Sequence, residues 1–126
     1  MKLQRLDHLV LTVRDISTTV DFYTHILGME LITFAEDRKA LRFGEQKINL
    51  HQQGEEFEPK AKQALPGSAD ICLLTSTPIN EVIFHLQQNN TEIIEGPVER
   101  TGARHALISV YIRDPDGNLL EIANEI

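Results

Sequence analysis

The strongest constraint on the fold is an internal repeat, because a chain that repeats one set of elements folds as copies of one module. Residues 7–12 (DHLVLT) form a short run of strand-forming residues, and residues 69–74 (ADICLL) form a second. Superposing the two runs places His8 on Asp70. The same superposition aligns the helical patterns that follow, so each half begins with a strand and a helix.

The repeat continues to the end of each half. Residues 48–51 (INLH) are superposed on residues 118–121 (NLLE), which places His51 on Glu121. The second half is longer, and its extra residues fall in the segment 96–105, which is expected to be a loop. The sequence therefore predicts two modules with the same order of elements.

Periodicity within each half predicts a strand, a helix and three strands, and so an α+β fold of two βαβββ modules. Asp15 or Ser17 can cap the first helix, because an oxygen-bearing side chain satisfies the free N–H groups of the first turn, and Gly28 ends it. Thr77 is the expected cap of the second helix, with Pro78 at its first helical position. The predicted strands are 6–13, 29–34, 39–43 and 46–52 in the first half and 70–76, 92–95, 108–113 and 118–124 in the second.

At 126 residues the chain has the length of one domain, made of module one (1–53), a connecting loop (54–68) and module two (69–126). The net charge of −7 disfavours a nucleic-acid partner, since phosphate binding needs a positive surface. The single cysteine, Cys72, cannot form a disulfide within the chain, which suits a reducing compartment. Since the apolar run near the N-terminus is too short to span a bilayer, we expect a cytoplasmic protein without a membrane partner.

Strand alternation places four polar side chains on equivalent faces. Successive residues of a strand point to opposite sides, so each of the four lies opposite the apolar residues that cover a helix. They are His8, His51, Asp70 and Glu121. Taken singly, each is typical of an ordinary strand histidine or a solvated carboxylate. Together, two imidazoles and two carboxylates predict a site for one divalent transition metal ion, namely Ni²⁺, Mn²⁺, Fe²⁺, Co²⁺ or Zn²⁺.

Three stretches of the sequence resemble the vicinal-oxygen-chelate superfamily of glyoxalase I, fosfomycin and bleomycin resistance proteins and extradiol dioxygenases. They are 6–30 (LDHLVLTVRDISTTVDFYTHILGME), 37–51 (DRKALRFGEQKINLH) and 112–122 (IRDPDGNLLEI). The third is the most specific, because it joins DPDGN to a strand glutamate. The pattern is similar above all to small lactoylglutathione lyase-like glyoxalase-domain proteins. The resemblance implies an open, cup-shaped mixed sheet that is completed across a homodimer.

The resemblance also implies a set of metal ligands. Glyoxalase I takes them from the first and fourth strands of each half, and the matching positions are His8, His51, Asp70 and Glu121. In a dimer, the two histidines of one chain would meet the two carboxylates of the partner. Asp70 departs from the family, which usually has a histidine at this position. This departure counts against an iron dioxygenase, since such iron sites use two histidines and one carboxylate.

The implied function is that of a metal-dependent lyase or isomerase of the glyoxalase type. Its expected substrate is a small molecule with adjacent oxygens, such as a glutathione hemithioacetal. Glu121 is the expected catalytic base, and the candidates for substrate binding are Arg104, His105 and Tyr111. Two alternatives stay open: a metal-dependent dioxygenase of the same superfamily, and a non-catalytic resistance protein that binds a drug or another ligand.

Overall fold

The chain folds into ten elements, and the computed structural model describes all of residues 1–126. In chain order they are β1 (His8–Val13), α1 (Ile16–His25), β2 (Glu30–Phe34), β3 (Arg38–Phe43), β4 (Gln46–Gln52), β5 (Asp70–Leu74), α2 (Ile79–Gln88), β6 (Glu95–Thr101), β7 (Ala106–Arg113) and β8 (Leu119–Glu125). They form two compact units, Met1–Gly67 and Ser68–Ile126. The predicted α+β fold of two βαβββ modules is confirmed, while the single-domain boundaries stay a prediction.

In the first unit, the last strand lies beside the first. The sheet order is β1-β4-β3-β2, with β1 and β4 parallel and the other neighbours antiparallel. Helix α1 begins after Asp15, whose side chain accepts a hydrogen bond from the Thr18 amide at 2.9 Å, as the sequence predicts. Strand β4 is one of the two inner strands of the sheet, and residues on both of its faces are buried.

The core of the first unit lies between α1 and one face of the sheet. Val13, Tyr23, Leu41 and Ile48 are 0% exposed, and α1 contacts β2, β3 and β4. Burying a large apolar side chain stabilises the fold by about 1.5–3 kcal/mol. This layer therefore holds the helix on the sheet and leaves the opposite face of the sheet for polar side chains.

The second unit repeats this arrangement. Its sheet order is β5-β8-β7-β6, with β5 and β8 parallel, and α2 contacts β7. Leu86 is 1% exposed, and Val110, Ile112 and Leu120 are 0% exposed, so the helix again covers one face of the sheet. Neither helix of the protein is long and apolar enough to cross a membrane.

Two predicted details of the second unit are wrong. The sixth strand is Glu95–Thr101 rather than 92–95, so most of the predicted loop 96–105 is strand. This strand lies at the edge of its sheet, where polar residues and proline are tolerated, and it therefore lacks the apolar alternation of a central strand. The second helix begins after Pro78 with no side-chain cap, so Thr77 does not take the expected role.

Candidate functional site

The sheet of the first unit carries polar and charged side chains on the side away from α1. Partners in a ladder share a face, and the register pairs His8 with Lys47, Ala40 with Asn49, and Phe34 with Arg38. His51 lies two residues beyond Asn49 and therefore on the same side. We call this set the first face: Phe34, Arg38, His8, Lys47, Asn49 and His51.

His8 is held in one orientation by its neighbour in the chain. Its Nδ1 lies 2.8 Å from Oδ2 of Asp7, and its side chain is 43% exposed. This hydrogen bond lowers the pKa of Asp7 below its usual value, so the carboxylate is ionised and accepts the ring proton. The Nε2 of His8 is left as the free nitrogen. Metal-binding histidines commonly have such a carboxylate partner, which fixes the tautomer.

His51 has a different environment, although the sequence groups it with His8. It is 4% exposed, its ring packs edge-on against Phe57 at 5.6 Å between centroids, and its Nε2 lies 3.5 Å from a guanidinium nitrogen of Arg38. Burial, and then the charge of Arg38, lower the pKa of His51. The imidazole is therefore neutral and faces a fixed cation, which disfavours a metal ion beside it.

The strand register also corrects the repeat. In the first unit Val10 pairs with Asn49, and in the second unit Cys72 pairs with Glu121. Since His8 and Asp70 each stand two residues before these pairs, Asn49 is the counterpart of Glu121. The superposition of His51 on Glu121 is wrong by two residues. Because side chains alternate along a strand, a shift of two keeps His51 on the same face as Asn49 but places it one step further along the strand. The metal-ligand role of His51 stays a prediction, and its surroundings argue against it.

The corresponding side of the second sheet is rich in carboxylates. We call it the second face: Asp70, Cys72, Ser109, Tyr111 and Glu121. The register pairs Cys72 and Tyr111 with Glu121 from either side. The hydroxyl of Ser109, a fully buried residue, donates a hydrogen bond of 2.6 Å to Oε2 of Glu121. This hydrogen bond fixes the orientation of the Glu121 carboxylate, which also interacts with the side chains of Cys72 and Tyr111.

The carboxylates of the second face change the acidity of their neighbours. Desolvation, together with Glu121 and Asp70, raises the pKa of the Cys72 thiol to about 11. Desolvation and Glu121 also raise the pKa of Tyr111, whose hydroxyl accepts a hydrogen bond of 3.0 Å from Arg100. Both groups are therefore neutral at pH 7, so Cys72 is not an activated nucleophile. Tyr111 lies beside Glu121, and its predicted role in substrate binding stays a prediction.

The other two residues predicted to bind substrate lie in the short turn between β6 and β7. Arg104 Nε is 4.0 Å from Oε2 of Glu125, and His105 Nε2 is 3.9 Å from the same oxygen. All three side chains are more than one third exposed. Arg104 and His105 thus already have an anionic neighbour in their own unit. Their substrate-binding role stays a prediction.

Individual residues on each face carry donor atoms of the kind that suit a divalent metal ion. No group of three or more His, Cys, Asp and Glu side chains is close enough together to hold one. The Nδ1 of His8 nevertheless bonds to Asp7, which orients the ring so that Nε2 can act as a donor to a metal ion. Ser109 similarly orients the carboxylate of Glu121 through Oε2. Asp70 lies at the start of β5, exposed, at the position that matches His8. Imidazole and carboxylate donors with such supporting hydrogen bonds suit a transition metal.

Two residues of these faces were not identified from the sequence: Asn49 of the first face and Ser109 of the second. One signal was present for Asn49: the apolar-polar-apolar pattern of Ile48-Asn49-Leu50 matches Leu120-Glu121-Ile122. Matching the strands on these apolar residues, which must cover a helix, would have placed Asn49 on Glu121.

Comparisons with known proteins agree with this fold. Residues 5–122 match the glyoxalase/bleomycin resistance protein/dioxygenase superfamily. Virulence protein STM3117 of Salmonella typhimurium is 60% identical over 126 residues, which cover 100% of this chain and 88% of that protein. Its crystal structure superposes with a TM-score of 0.99 over 100% of both chains. Glyoxalase domain-containing protein RDO1 of Mycosarcoma maydis is 50% identical over 124 residues, or 98% of this chain and 70% of that protein.

More distant structures share the fold alone. A lactoylglutathione lyase from Agrobacterium tumefaciens superposes with a TM-score of 0.76 at 18% identity, over 98% of this chain and 96% of that one. TnmS3, an antibiotic-binding protein from a Streptomyces species, superposes with a TM-score of 0.75 at 18% identity, over 100% and 99% of the chains. One backbone plan therefore occurs in an enzyme and in a binding protein, so function must be argued from side chains.

Proposed function

This chain belongs to the glyoxalase/bleomycin resistance protein/dioxygenase superfamily, and on that premise we propose that it is a metal-dependent lyase or isomerase of the glyoxalase type. Its substrate is a small molecule with two adjacent oxygens, such as a glutathione hemithioacetal. The observation that carries the proposal is the orientation of His8 by Asp7, an arrangement that supports a metal ligand and is absent from the other strand histidine.

We assign the metal to His8, Asp70 and Glu121. His8 and Asp70 occupy matching positions on the first strand of each module. Glu121, on the last strand of the second module, pairs with Cys72, two residues after Asp70, and so lies on the same face as Asp70. His51 is left out of this set, because it is buried against the Arg38 guanidinium. One imidazole and two carboxylates depart from the two histidines and one carboxylate of iron dioxygenases, which favours the lyase over the dioxygenase.

A bound divalent metal would polarise the two neighbouring oxygens of the substrate. The chain itself must then move a proton between the two adjacent carbons, and Glu121 is the proposed base. The Ser109 hydroxyl donates a hydrogen bond to Oε2 of Glu121 and so fixes the orientation of the carboxylate that would serve both as metal ligand and as base. The neutral Tyr111 phenol lies next to Glu121 and can donate a hydrogen bond without adding charge.

We further propose that the protein works as a homodimer, as the resemblance implies. Each unit presents apolar side chains on its first strand that its own fold leaves uncovered: Val10 is 46% exposed and Leu74 is 57% exposed. Exposed apolar side chains on strands are common at protein interfaces. Sedimentation equilibrium of the purified protein should give the mass of two chains, and a mass of one chain at all concentrations would contradict this part of the proposal.

The reaction is tested by preparing the metal-free protein and adding Ni²⁺, Mn²⁺, Fe²⁺, Co²⁺ or Zn²⁺ in turn. Turnover of the hemithioacetal of methylglyoxal and glutathione is followed for each metal. We expect at least one metal to restore turnover, and Glu121→Gln to reduce kcat by about a hundredfold or more, as is typical for the loss of a general base.

Two variants complete this experiment. His8→Gln should lower the affinity for the activating metal, whereas His25→Gln, which changes an exposed helix histidine, should match the wild type. Hemithioacetal turnover that is absent with every metal would remove the glyoxalase I assignment. If metal binding through His8 persists in that case, the metal centre remains and the substrate must be another one.

A further inference from the structure

The first face contains two cations that lack an anionic partner. Arg38 and Lys47 have no carboxylate within ion-pair distance, whereas Lys39 lies 3.1 Å from Asp37 and Arg42 lies 2.9 Å from Glu30 on the same sheet. The chain has 19 acidic residues for 12 basic ones, so carboxylates are in excess. Two unpaired cations on one side of a small sheet are therefore a specific feature of this face.

Aromatic rings hold both cations in place. The guanidinium carbon of Arg38 lies 4.1 Å from the centroid of the Phe57 ring and 5.4 Å from that of Phe34, and Lys47 Nζ lies 4.1 Å from the Phe34 centroid. A guanidinium stacked on a ring uses its flat face for this contact. Its N–H donors lie in its plane and stay available for a second interaction. We call Phe34, Arg38, Lys47, His51 and Phe57 the Arg38 cluster.

Hydrogen-bonding groups next to these cations are buried and unsatisfied. His51 and Asn49 are 4% and 8% exposed, yet His51 Nδ1 and Asn49 Oδ1 have no hydrogen-bond partner. A guanidinium can only donate, so His51 Nε2 accepts from Arg38, and the ring proton resides on Nδ1. Buried polar groups without a partner are rare in native proteins. The Nδ1–H of His51 can donate to an anion, whereas Asn49 Oδ1 is an acceptor and needs a donor such as a water molecule.

The nearby carboxylate does not fill this role. Glu56 lies close enough to His51 to influence its charge, but its Oε2 accepts a hydrogen bond of 2.7 Å from the Gly54 amide. Its other oxygen lies 3.4 Å from Lys60. Glu56 is thus committed to the turn that follows β4. Asp7, whose pKa is lowered by its hydrogen bond to His8 and to a smaller extent by the charge of Lys47, is committed to His8. Arg38 and Lys47 therefore form no ion pair.

We propose that the Arg38 cluster binds the oxyanion group of a small organic acid, a carboxylate or a phosphate, with Arg38 as the main donor and Lys47 as the second. The four side chains around such a group, Phe34, Arg38, Lys47 and Phe57, are all partly exposed, so a small molecule can reach them. The rings of Phe34 and Phe57 contact the organic part of the ligand and keep water from the cations. This binding does not depend on a metal ion.

The experiment is a calorimetric titration of the full-length protein, freed of metal with a chelating resin so that no soluble anionic chelator competes. The probe is benzoate, and benzamide is its uncharged counterpart. We expect benzoate to bind and benzamide to bind at least about tenfold more weakly, since charge-assisted hydrogen bonds dominate. Equal binding of the two probes, or no binding of benzoate, would overturn the proposal.

Variants locate the site. Arg38→Met should weaken benzoate binding about tenfold and Lys47→Met about threefold. Arg42→Met is the matched control, because Arg42 lies on the same strand but is paired with Glu30, and it should leave the affinity unchanged. If Arg38→Met unfolds, Arg38→Lys keeps the charge but removes the planar fork and should still weaken binding. An equal loss in Arg42→Met would indicate a general charge effect and contradict the assignment.

A competition experiment with inorganic phosphate distinguishes the two kinds of oxyanion, carboxylate and phosphate. Competition between phosphate and benzoate in the wild type shows that the cluster accepts oxyanions in general. Benzoate binding that phosphate does not displace restricts the ligand to carboxylates. In either case, the affinity must fall in Arg38→Met for the proposal to stand.

Discussion

The two units share one backbone plan and differ in the chemistry of their equivalent faces. Across the ladders, the histidine that starts β1 corresponds to the aspartate that starts β5, and Asn49 corresponds to Glu121. Arg38 corresponds to Ser109, and His51 corresponds to Ala123. Of the residues that define the two faces, the first set therefore contains two imidazoles and two cations, whereas the second contains two carboxylates. Repetition has preserved the strands, and the side chains away from the helices have diverged.

The helix-facing side shows the opposite behaviour. Leu41 and Ile48 in the first unit correspond to Ile112 and Leu120 in the second, and all four are 0% exposed. Close packing against a helix demands apolar side chains of similar volume, so these positions cannot diverge freely. The comparison teaches that the repeat is maintained by packing on one side of each sheet, which leaves the other side free for function.

The largest expected effect tests this shared packing. Ile48→Ala and Leu120→Ala should each lower the free energy of unfolding by about 2–5 kcal/mol, because each leaves a cavity in a fully buried layer. Leu31→Ala, at a strand position that is 41% exposed, should change it by less than about 0.5 kcal/mol. Urea denaturation measures all three, and a small effect at only one of the two buried positions would break the equivalence.

A smaller effect on stability is expected from a hydrogen bond that only the second face contains. Ser109→Ala removes the hydroxyl that donates to Glu121 and should lower the free energy of unfolding by about 1–3 kcal/mol. The exposed Ser76→Ala is the control and should behave as the wild type. If the two variants have the same stability at pH 7, the Ser109–Glu121 hydrogen bond does not hold the carboxylate as described.

The caps of the two helices are a further difference between the units. Asp15→Ala removes the side-chain cap of α1 and should lower the free energy of unfolding by about 1 kcal/mol. Thr77→Ala should have an effect below about 0.5 kcal/mol, because α2 begins after Pro78 without a side-chain cap. A loss in Thr77→Ala as large as that in Asp15→Ala would show that both helices are capped alike.

The smallest effect is a pH dependence of the first face. The pKa of His51 in the folded protein lies below its ordinary value of 6.5, mainly because the ring is buried. As the pH falls, His51 is therefore protonated in the unfolded chain at a higher pH than in the folded chain. The neutral His51 therefore makes its full contribution to the free energy of unfolding above pH 6.5, and this contribution decreases as the pH falls below that value.

His51→Gln should accordingly flatten the acid side of the stability curve. Urea denaturation between about pH 7 and pH 5 measures the free energy of unfolding of both proteins in the range where histidine titrates. The wild type should lose more stability over this range than the variant does. Parallel curves for the two proteins would mean that His51 titrates alike in the folded and unfolded chains.

Much of the fold could be predicted from the sequence, because periodic apolar residues and strong end signals determine local structure. The cap at Asp15 and the strand around Ile48 are examples. The edge strand β6 could not be predicted in this way, since Glu95–Thr101 is polar and contains a proline. Edge position depends on the order of strands in space, and the local sequence does not encode it.

The candidate site was predicted in part, for a related reason. The repeat identified His8, Asp70 and Glu121 as residues on equivalent faces, because alternation depends only on parity along a strand. Parity does not give the register between neighbouring strands, and so His51 was grouped with Glu121. The Arg38 cluster depends on contacts between β2, β3, β4 and the segment after β4, and no single stretch of sequence contains that information.

A titration of the metal-free protein with the activating divalent metal tests the central claim, the proposed metal centre of His8, Asp70 and Glu121, most directly. The wild type should bind one ion per chain, and His8→Gln and Glu121→Gln should each lower the affinity by about tenfold or more. His51→Gln should bind the metal as the wild type does, as should the surface control His25→Gln. Full affinity in His8→Gln, together with a loss in His51→Gln, would contradict the account.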